Sequence, residues 1–169
     1  MSEATKPVVK DVTTMASPVS LKYRARAGKD LSRFLRGMKE RRIVGRVCPS
    51  CNYVYVPPRG ACPTCGCPMG DERVLPETGT ITTFCIVNIP FEGQKLKPPY
   101  VCASVLLDGA DVALFHLVGG CDVNEVRMGM RVRAEWVDEA DAELSLETIR
   151  YFVPTGEPDR PLAQIREHI

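Results

Sequence analysis

The sequence is poor in the groups that acid–base and phosphate chemistry use. Its 169 residues include only two histidines, His116 and His168, and contain no Walker-type phosphate loop. Gly119-Gly120 ends an apolar run without the pattern that a nucleotide site requires. A Ser or Cys nucleophile needs a base and a group that orients the base, and no such set is visible. We therefore predict no catalytic residue, with His116 as a core or partly satisfied side chain of a strand and His168 in solvent.

Long apolar runs are absent as well. No window approaches the roughly 18 consecutive apolar residues of a membrane-spanning helix. Residues 1–16 lack the apolar segment of a secretory signal. We therefore expect a cytoplasmic protein, in which disulfides are disfavoured.

The net charge of +1 hides an uneven distribution. Residues 1–47 contain 12 Lys and Arg against 4 Asp and Glu, whereas residues 74–169 contain 8 against 15. Such asymmetry occurs in proteins that bind nucleic acid or another polyanion. It also occurs where a solvated basic helix lies against an acidic domain or partner, which is the more common situation.

Eight cysteines are the unusual component, and four of them have the spacing of a metal site. Cys48 and Cys51 form one Cys-x-x-Cys pair, Cys62 and Cys65 form another, and ten residues separate the pairs. Two such pairs on tight turns can place four thiolates around one Zn²⁺ at about 2.3 Å. We predict one structural zinc per chain. A four-cysteine site leaves no open coordination position, so the metal is not expected to be catalytic.

Other interpretations of the cysteines are weaker. A disulfide framework needs an oxidising compartment, and a redox Cys-x-x-Cys usually begins a helix of a βαβ unit, which is absent here. Iron is compatible with a four-cysteine ligand set. Cys67 could replace Cys65 as a ligand, although the spacing favours Cys65. The remaining three thiols, in or beside apolar strands, are predicted to be buried: Cys85, Cys102 and Cys121.

Periodicity predicts one helix before the cysteines and a mainly β region after them. Leu31, Phe34, Leu35 and Met38 have helical spacing, and Asp30 or Ser32 is predicted to cap that helix. Five short strands are predicted over 80–89, 100–107, 112–118, 131–137 and 144–153, with a helical turn over 122–128. This pattern favours an OB-fold barrel, with a small open β-sandwich as the alternative.

These patterns divide the chain into five segments. We predict a flexible leader over 1–20, an N-terminal arm and basic helix over 21–47 and a rubredoxin-like zinc ribbon over 48–75. An OB-fold domain follows over 76–155, and residues 156–169 form a C-terminal tail.

Four sequence blocks, taken together, resemble a known family. They are YVPPRGACPTCG (55–66), TGTITTF (78–84), PPYVCASVLLDGADVALFHLVGG (98–120) and MGMRVRAEW (128–136). In this order, over roughly residues 20–155, they resemble the zinc-ribbon and OB-fold proteins of the "domain of unknown function 35" family, which are associated with acyl-CoA metabolism.

The resemblance implies a function without catalysis. It implies a zinc bound by Cys48, Cys51, Cys62 and Cys65, and an OB barrel that docks on a thiolase-superfamily partner, a thiolase or a retro-aldolase, in a hetero-oligomer. The barrel would also help to form the partner's acyl-CoA channel, in steroid side-chain or fatty acyl-CoA degradation. Basic side chains of the stretch 32–48 would meet CoA phosphates or an acidic surface of the partner.

Two other functions stay open at this point. Zinc ribbons and OB-folds also bind nucleic acid, although the net acidic barrel repels phosphate backbones. The chain could also carry or sense acyl-CoA without a partner. Membrane association is not expected.

Overall fold

The computed structural model describes residue 21 and residues 24–168. A helix, α1 (Lys29–Lys39), precedes a three-stranded antiparallel sheet made of β1 (Ile43–Val47), β2 (Val54–Tyr55) and β3 (Glu72–Leu75). The sheet has the order β2-β1-β3 and carries the cysteine-rich loops. The predicted leader over 1–20 lies outside the described residues.

A closed five-stranded barrel follows the small sheet. Its strands run in the spatial order β4-β5-β6-β8-β7, and β7 pairs with β4 to close the barrel. All neighbouring strands are antiparallel except β6 and β8, which run parallel. The mainly β prediction with an OB-type barrel is confirmed, and the open sandwich is wrong. The strands are β4 (Thr78–Val87), β5 (Tyr100–Leu107), β6 (Leu114–Val118), β7 (Arg131–Trp136) and β8 (Ile149–Pro154).

The predicted cap of α1 is wrong. The helix begins after Gly28, and no side chain caps its first turn. Asp30 lies inside the helix, where its carboxylate accepts a hydrogen bond of 2.7 Å from the guanidinium of Arg46. Arg46 also donates to the carbonyls of Met69 and Gly70. Asp30 thus connects the helix to the ribbon. Capping rules consider only residues next to the helix end, so they could not predict Arg46 as its partner.

Two predicted elements of the barrel region differ in the structure. Asp122 was predicted to cap a helical turn over 122–128. It does cap a turn, since its carboxylate accepts from the amide and the side chain of Asn124 and its carbonyl accepts from the Glu125 amide, but the turn ends at 125 and no helix extends to 128. The last strand begins only at Ile149. A 3₁₀ turn over Leu146–Thr148 precedes it, with the Ser145 hydroxyl accepting from the Glu147 amide.

Helix, ribbon and barrel share one hydrophobic core. Phe34 and Met38 of α1 are fully buried in the same cluster as Ile81 and Phe152 of the barrel. Asp111, in the β5–β6 loop, makes a two-way contact with β2. Its amide donates to the Val54 carbonyl (3.0 Å), and its carboxylate accepts from the Val54 amide (2.8 Å). The ribbon is therefore packed as part of the barrel domain.

A charged cluster fixes the C-terminal segment to the barrel. Asp108, at the end of β5, accepts two hydrogen bonds from Arg131 of β7 and one from Arg160. Beyond Arg160 the short helix α2 (Leu162–Ile165) buries Ile165. Within residues 21 and 24–168, no helix has the length and apolar character needed to cross a membrane.

Candidate metal centre and apolar surface

Two turns of the same shape carry the four paired cysteines. In the first turn the Cys51 amide faces the Cys48 sulfur at 3.5 Å, and in the second the Cys65 amide faces the Cys62 sulfur at 3.4 Å. Each turn then passes through the left-handed region, at Asn52 (φ 60°) and at Gly66 (φ 70°). Asn and Gly are the residues that adopt this conformation most readily, which explains why each Cys-x-x-Cys pair is followed by one of them.

The sulfur atoms of these cysteines converge on one point. The four Sγ atoms of Cys48, Cys51, Cys62 and Cys65 all lie within 4.8 Å of one another. The Sγ atoms of Cys51 and Cys62, one from each turn, are 3.8 Å apart. A tetrahedral zinc with bonds of about 2.3 Å places its sulfur ligands about 3.8 Å apart. The donor set therefore fits one structural zinc.

The electrostatics of the cluster favour a cation. The Cys51 amide, as the largest cause, lowers the pKa of Cys48. Burial raises the pKa of Cys62, but hydrogen bonds from the Cys65 amide and the Tyr55 hydroxyl outweigh it and bring the pKa to about 6. The Tyr53 amide lowers the pKa of Cys51, but burial and hydrogen bonds with the neighbouring cysteine side chains together outweigh it and raise the pKa to about 12. Four thiolates at this distance repel one another, and a divalent cation removes that repulsion.

Cys67 lies beside the cluster. Its sulfur is 3.6 Å from the Cys48 sulfur, but the mutually close set does not include it. Its carbonyl accepts a hydrogen bond from the Cys62 amide, which fixes the backbone between the two residues. The Cys67 sulfur thus lies beside the cluster of four sulfur atoms and is close to the Cys48 sulfur.

The prediction that the three barrel cysteines are buried is wrong. Cys85 is exposed, and Cys102 and Cys121 are only partly buried. Cys85 and Cys102 alternate with the core-facing residues Phe84 and Ala103, so their side chains point outward. An apolar run alone did not reveal which face of each strand points inward.

The histidines also differ from expectation in part. The ring of His116 packs edge-on against Phe152 at 5.8 Å, and its Nε2 lies 3.1 Å from the Leu146 carbonyl. Burial lowers the pKa of His116 and keeps the ring neutral, which agrees with a partly satisfied core side chain. His168 was predicted to be in solvent, but its Nδ1 lies 3.1 Å from the Asp111 carbonyl. No base–nucleophile pair is found among these contacts of the two rings.

An apolar groove on the barrel was not predicted. The 12-residue connection between β4 and β5 (88–99) exposes Ile89 (79%), Phe91 (64%) and Leu96 (41%) to solvent. Phe115 of β6 is 62% exposed on the adjoining surface. A cavity of about 370 Å³ lies between these exposed side chains and continues as a shallower depression. We call the two together the apolar groove. Six residues define it: Phe91, Leu96, Tyr100, Phe115, Leu117 and Leu146. Large apolar side chains in a Pro- and Gly-rich loop were the available signal.

On this barrel face, strands β5 and β6 lack the cations of a nucleic-acid site. OB-folds commonly bind oligonucleotides on the face of their second and third strands, which correspond to β5 and β6. Neither strand contains Lys or Arg. Of the aromatic residues in the strands, Phe152 is fully buried, and Phe84 and Trp136 pack against the core. Tyr100 and Phe115 do line the groove on this face, but no cation of β5 or β6 accompanies them. A backbone-binding groove needs cations along the strand face.

Comparisons with known proteins agree with this architecture. Residues 36–66 match a family model described as the ChsH2 rubredoxin-like zinc ribbon domain, a range that includes Cys65 and excludes Cys67. Residues 72–137 match the model of the ChsH2 C-terminal OB-fold domain.

Two curated relatives are similar over much of the chain. A DUF35 domain-containing scaffold protein of Methanocaldococcus jannaschii is 30% identical over 118 residues, which are 69% of this chain and 82% of that protein. A probable enoyl-CoA hydratase alpha subunit of Thermomonospora curvata is 31% identical over 144 residues. This chain spans 44% of the length of that hydratase subunit.

Two solved structures share the fold. A chain of the Ltp2-ChsH2(DUF35) aldolase superposes with a TM-score of 0.60 at 26% identity, over 78% of this chain and 98% of that chain. A DUF35 protein of unknown function from Sulfolobus solfataricus superposes with a TM-score of 0.55 at 19% identity, over 75% and 84% of the two chains.

Proposed function

We propose that this chain, which belongs to the DUF35 family of zinc-ribbon and OB-fold proteins, is a non-catalytic accessory subunit of a thiolase-superfamily enzyme. The partner would be a thiolase or retro-aldolase that acts on acyl-CoA thioesters. The observation that carries the proposal is the similarity to a chain of an aldolase complex, which extends over 98% of that chain. The name of the archaeal relative, a scaffold protein, supports the same role.

The zinc would have a structural role. We propose that Cys48, Cys51, Cys62 and Cys65 are its four ligands, since their sulfur atoms are mutually close and paired by identical turns. Bound zinc would hold the two turns together and leave no position for water. The ribbon would in turn hold β2 against Asp111, so that the metal stabilises the barrel that meets the partner.

The apolar groove supplies a surface for that partner. It exposes large apolar side chains on a loop and a strand that lie side by side. Three charged residues also line it: Lys95, Glu147 and Arg150. Burying such side chains in a protein interface is favourable at about 25 cal/mol per Å² of apolar area removed from water. We propose that the thiolase-like enzyme covers this groove and that the barrel thereby helps to form its acyl-CoA channel. Steroid side-chain or fatty acyl-CoA degradation in the cytoplasm is the proposed setting.

The proposal is tested with the tagged, zinc-loaded full chain in a lysate of its native host. We expect a thiolase-superfamily protein to co-purify at near-equal amount, identified by mass spectrometry. The purified pair should then be assayed on acyl-CoA substrates with and without this chain, because an accessory subunit raises the partner's activity or stability and turns nothing over alone.

A matched pair of variants locates the contact. Leu96→Asp places a charge in the apolar groove, whereas Leu162→Asp places the same charge on α2, where Leu162 is 56% exposed. The first change should weaken the complex at least about tenfold, and the second should leave it intact.

Three results would contradict the proposal. Turnover of an acyl-CoA by the isolated chain would make it an enzyme, and micromolar CoA binding without a partner would make it a carrier or sensor. Recovery of RNA or DNA, lost on nuclease treatment and weakened steeply by salt, would favour a nucleic-acid module.

A further inference from the structure

Two cysteines outside the metal centre face each other across the barrel wall. Cys85 of β4 and Cys102 of β5 are directly opposed partners in an antiparallel ladder. Directly opposed side chains point to the same face of a sheet, and here that face is the outer one. Cys85 is exposed, and Cys102 is partly buried.

The ladder brings the two thiols within the geometry of a disulfide. Opposed residues in antiparallel strands have Cα atoms about 4.5 or 5.5 Å apart, depending on the hydrogen-bonding position. Disulfides join residues whose Cα atoms are about 4.4–6.8 Å apart, so either position is within range. The register is continuous on both sides, from Thr83 paired with Ser104 to Val87 paired with Tyr100. The paired register therefore supplies the Cα separation that a disulfide needs.

The position of the pair gives the bond a specific structural effect. Cys85 lies two residues before the end of β4, and Cys102 lies two residues after the start of β5. A bond between them would close the base of the hairpin whose 12-residue connection (88–99) exposes Ile89 and Phe91. It would limit how far the two strands separate beneath that loop.

We propose that Cys85 and Cys102 are a redox-modification site, forming a reversible cross-strand disulfide with a glutathione-type disulfide as oxidant. The Cys85 thiolate, on the exposed side, attacks oxidised glutathione, forms a mixed disulfide and releases one glutathione thiolate. The Cys102 thiolate then attacks the Cys85 sulfur and releases the second glutathione. The protein loses two protons and two electrons, and one glutathione disulfide becomes two thiols.

The order of attack follows from the surroundings. Burial, and after it the neighbouring thiol of Cys85, raise the pKa of Cys102. Cys102 thus has little thiolate, and it reacts efficiently only with a sulfur already beside it. Cys102 also lines the shallower part of the apolar groove, so a bound partner would cover it. The test therefore uses the isolated chain, and its outcome does not depend on whether the proposed partner exists.

The test exposes the zinc-loaded full chain to oxidised glutathione and follows intact mass, peptide mapping and zinc content. We expect a mass lower by two hydrogen atoms, a peptide linking Cys85 to Cys102, unchanged zinc and full reversal by dithiothreitol. The oxidised protein should also melt at a higher temperature. Cys121→Ser, a change at a partly buried barrel thiol without an opposed cysteine, should behave as wild type. Cys85→Ser and Cys102→Ser should each abolish the link.

Two outcomes would overturn the proposal. One is a lasting glutathione adduct on Cys85 with Cys102 still free, which would mean that the thiols cannot reach each other. The other is a link that appears only as zinc is lost and that joins ribbon cysteines.

Discussion

The substitution Asp108→Ala tests how much one carboxylate contributes to the stability of the barrel and to the attachment of the C-terminal segment. Asp108 accepts hydrogen bonds of 2.8 and 2.7 Å from Arg131 and one of 2.7 Å from Arg160. The side chain of Arg131 is only 10% exposed, and that of Asp108 is 22% exposed. Removing Asp108 leaves the Arg131 guanidinium with only Glu157, an exposed residue, as its charge partner.

The expected loss of unfolding free energy follows from the burial of Asp108 and Arg131. Breaking a buried ion pair by removing one partner costs about 3–5 kcal/mol, and the partial exposure of Asp108 places this case near about 3 kcal/mol. For a protein of this size the loss corresponds to a melting temperature lower by about 6–12 °C. Glu135→Gln is the control, because it removes an exposed partner of Arg133 and should cost less than about 1 kcal/mol.

The pH dependence identifies the cause. Burial raises the pKa of Asp108, but the hydrogen bonds from Arg131 and Thr78 outweigh it, so the folded-state pKa lies below its usual value. The stabilisation is therefore complete above the unfolded pKa of about 3.9 and is lost as the pH falls through the folded pKa. A second variant, Asp108→Asn, is compared with wild type by urea unfolding at a series of pH values. The difference in unfolding free energy between the two should shrink below about pH 4. A deficit that stays constant from pH 7 to pH 3, or Asp108→Ala within about 1 kcal/mol of wild type, would refute this reasoning.

Three further predictions concern the ribbon and the shared core. Cys48→Ser should lose zinc and lower the melting temperature of the whole chain, since metal binding and folding are coupled in small sites and the ribbon shares the core of the barrel; full zinc content with unchanged melting would contradict it. Cys65→Ser should weaken zinc binding at least as much as the about 10–100-fold that loss of a group supporting a ligand costs, while Cys67→Ser keeps one zinc per chain, as metal titration with a chelator would measure; the reverse order would make Cys67 the fourth ligand. Phe34→Ala should cost about 3–5 kcal/mol and keep a single unfolding transition; separate transitions for ribbon and barrel would contradict a common core.

Local chemistry predicted the elements that depend on neighbours in the sequence. The two Cys-x-x-Cys turns need only their own amides and the residue that follows them, Asn52 or Gly66. β5 was predicted with its observed limits because Pro98-Pro99 precedes it and Asp108-Gly109 follows it. Such signals lie within a few residues of the element that they delimit.

Other features depend on contacts between distant parts of the chain. Asp30 has the position of a helix cap but bonds with Arg46 of β1. The apolar groove was missed because it joins the β4–β5 connection to β6. Which face of a strand meets the core is decided by barrel closure, so the outward position of Cys85 could not be predicted either.

The contact between Asp111 and β2 limits how evolution can divide or recombine this protein's gene. The two family models end and begin within residues 66–72, as if the chain could be divided there. A cut at that point would leave the Val54 amide and carbonyl without their partners and would open the core beside Phe34. A gene rearrangement that moved the barrel alone would therefore yield a chain that folds poorly. We therefore expect the ribbon and the barrel to occur together, as one evolutionary unit, in other genomes and in fusion proteins.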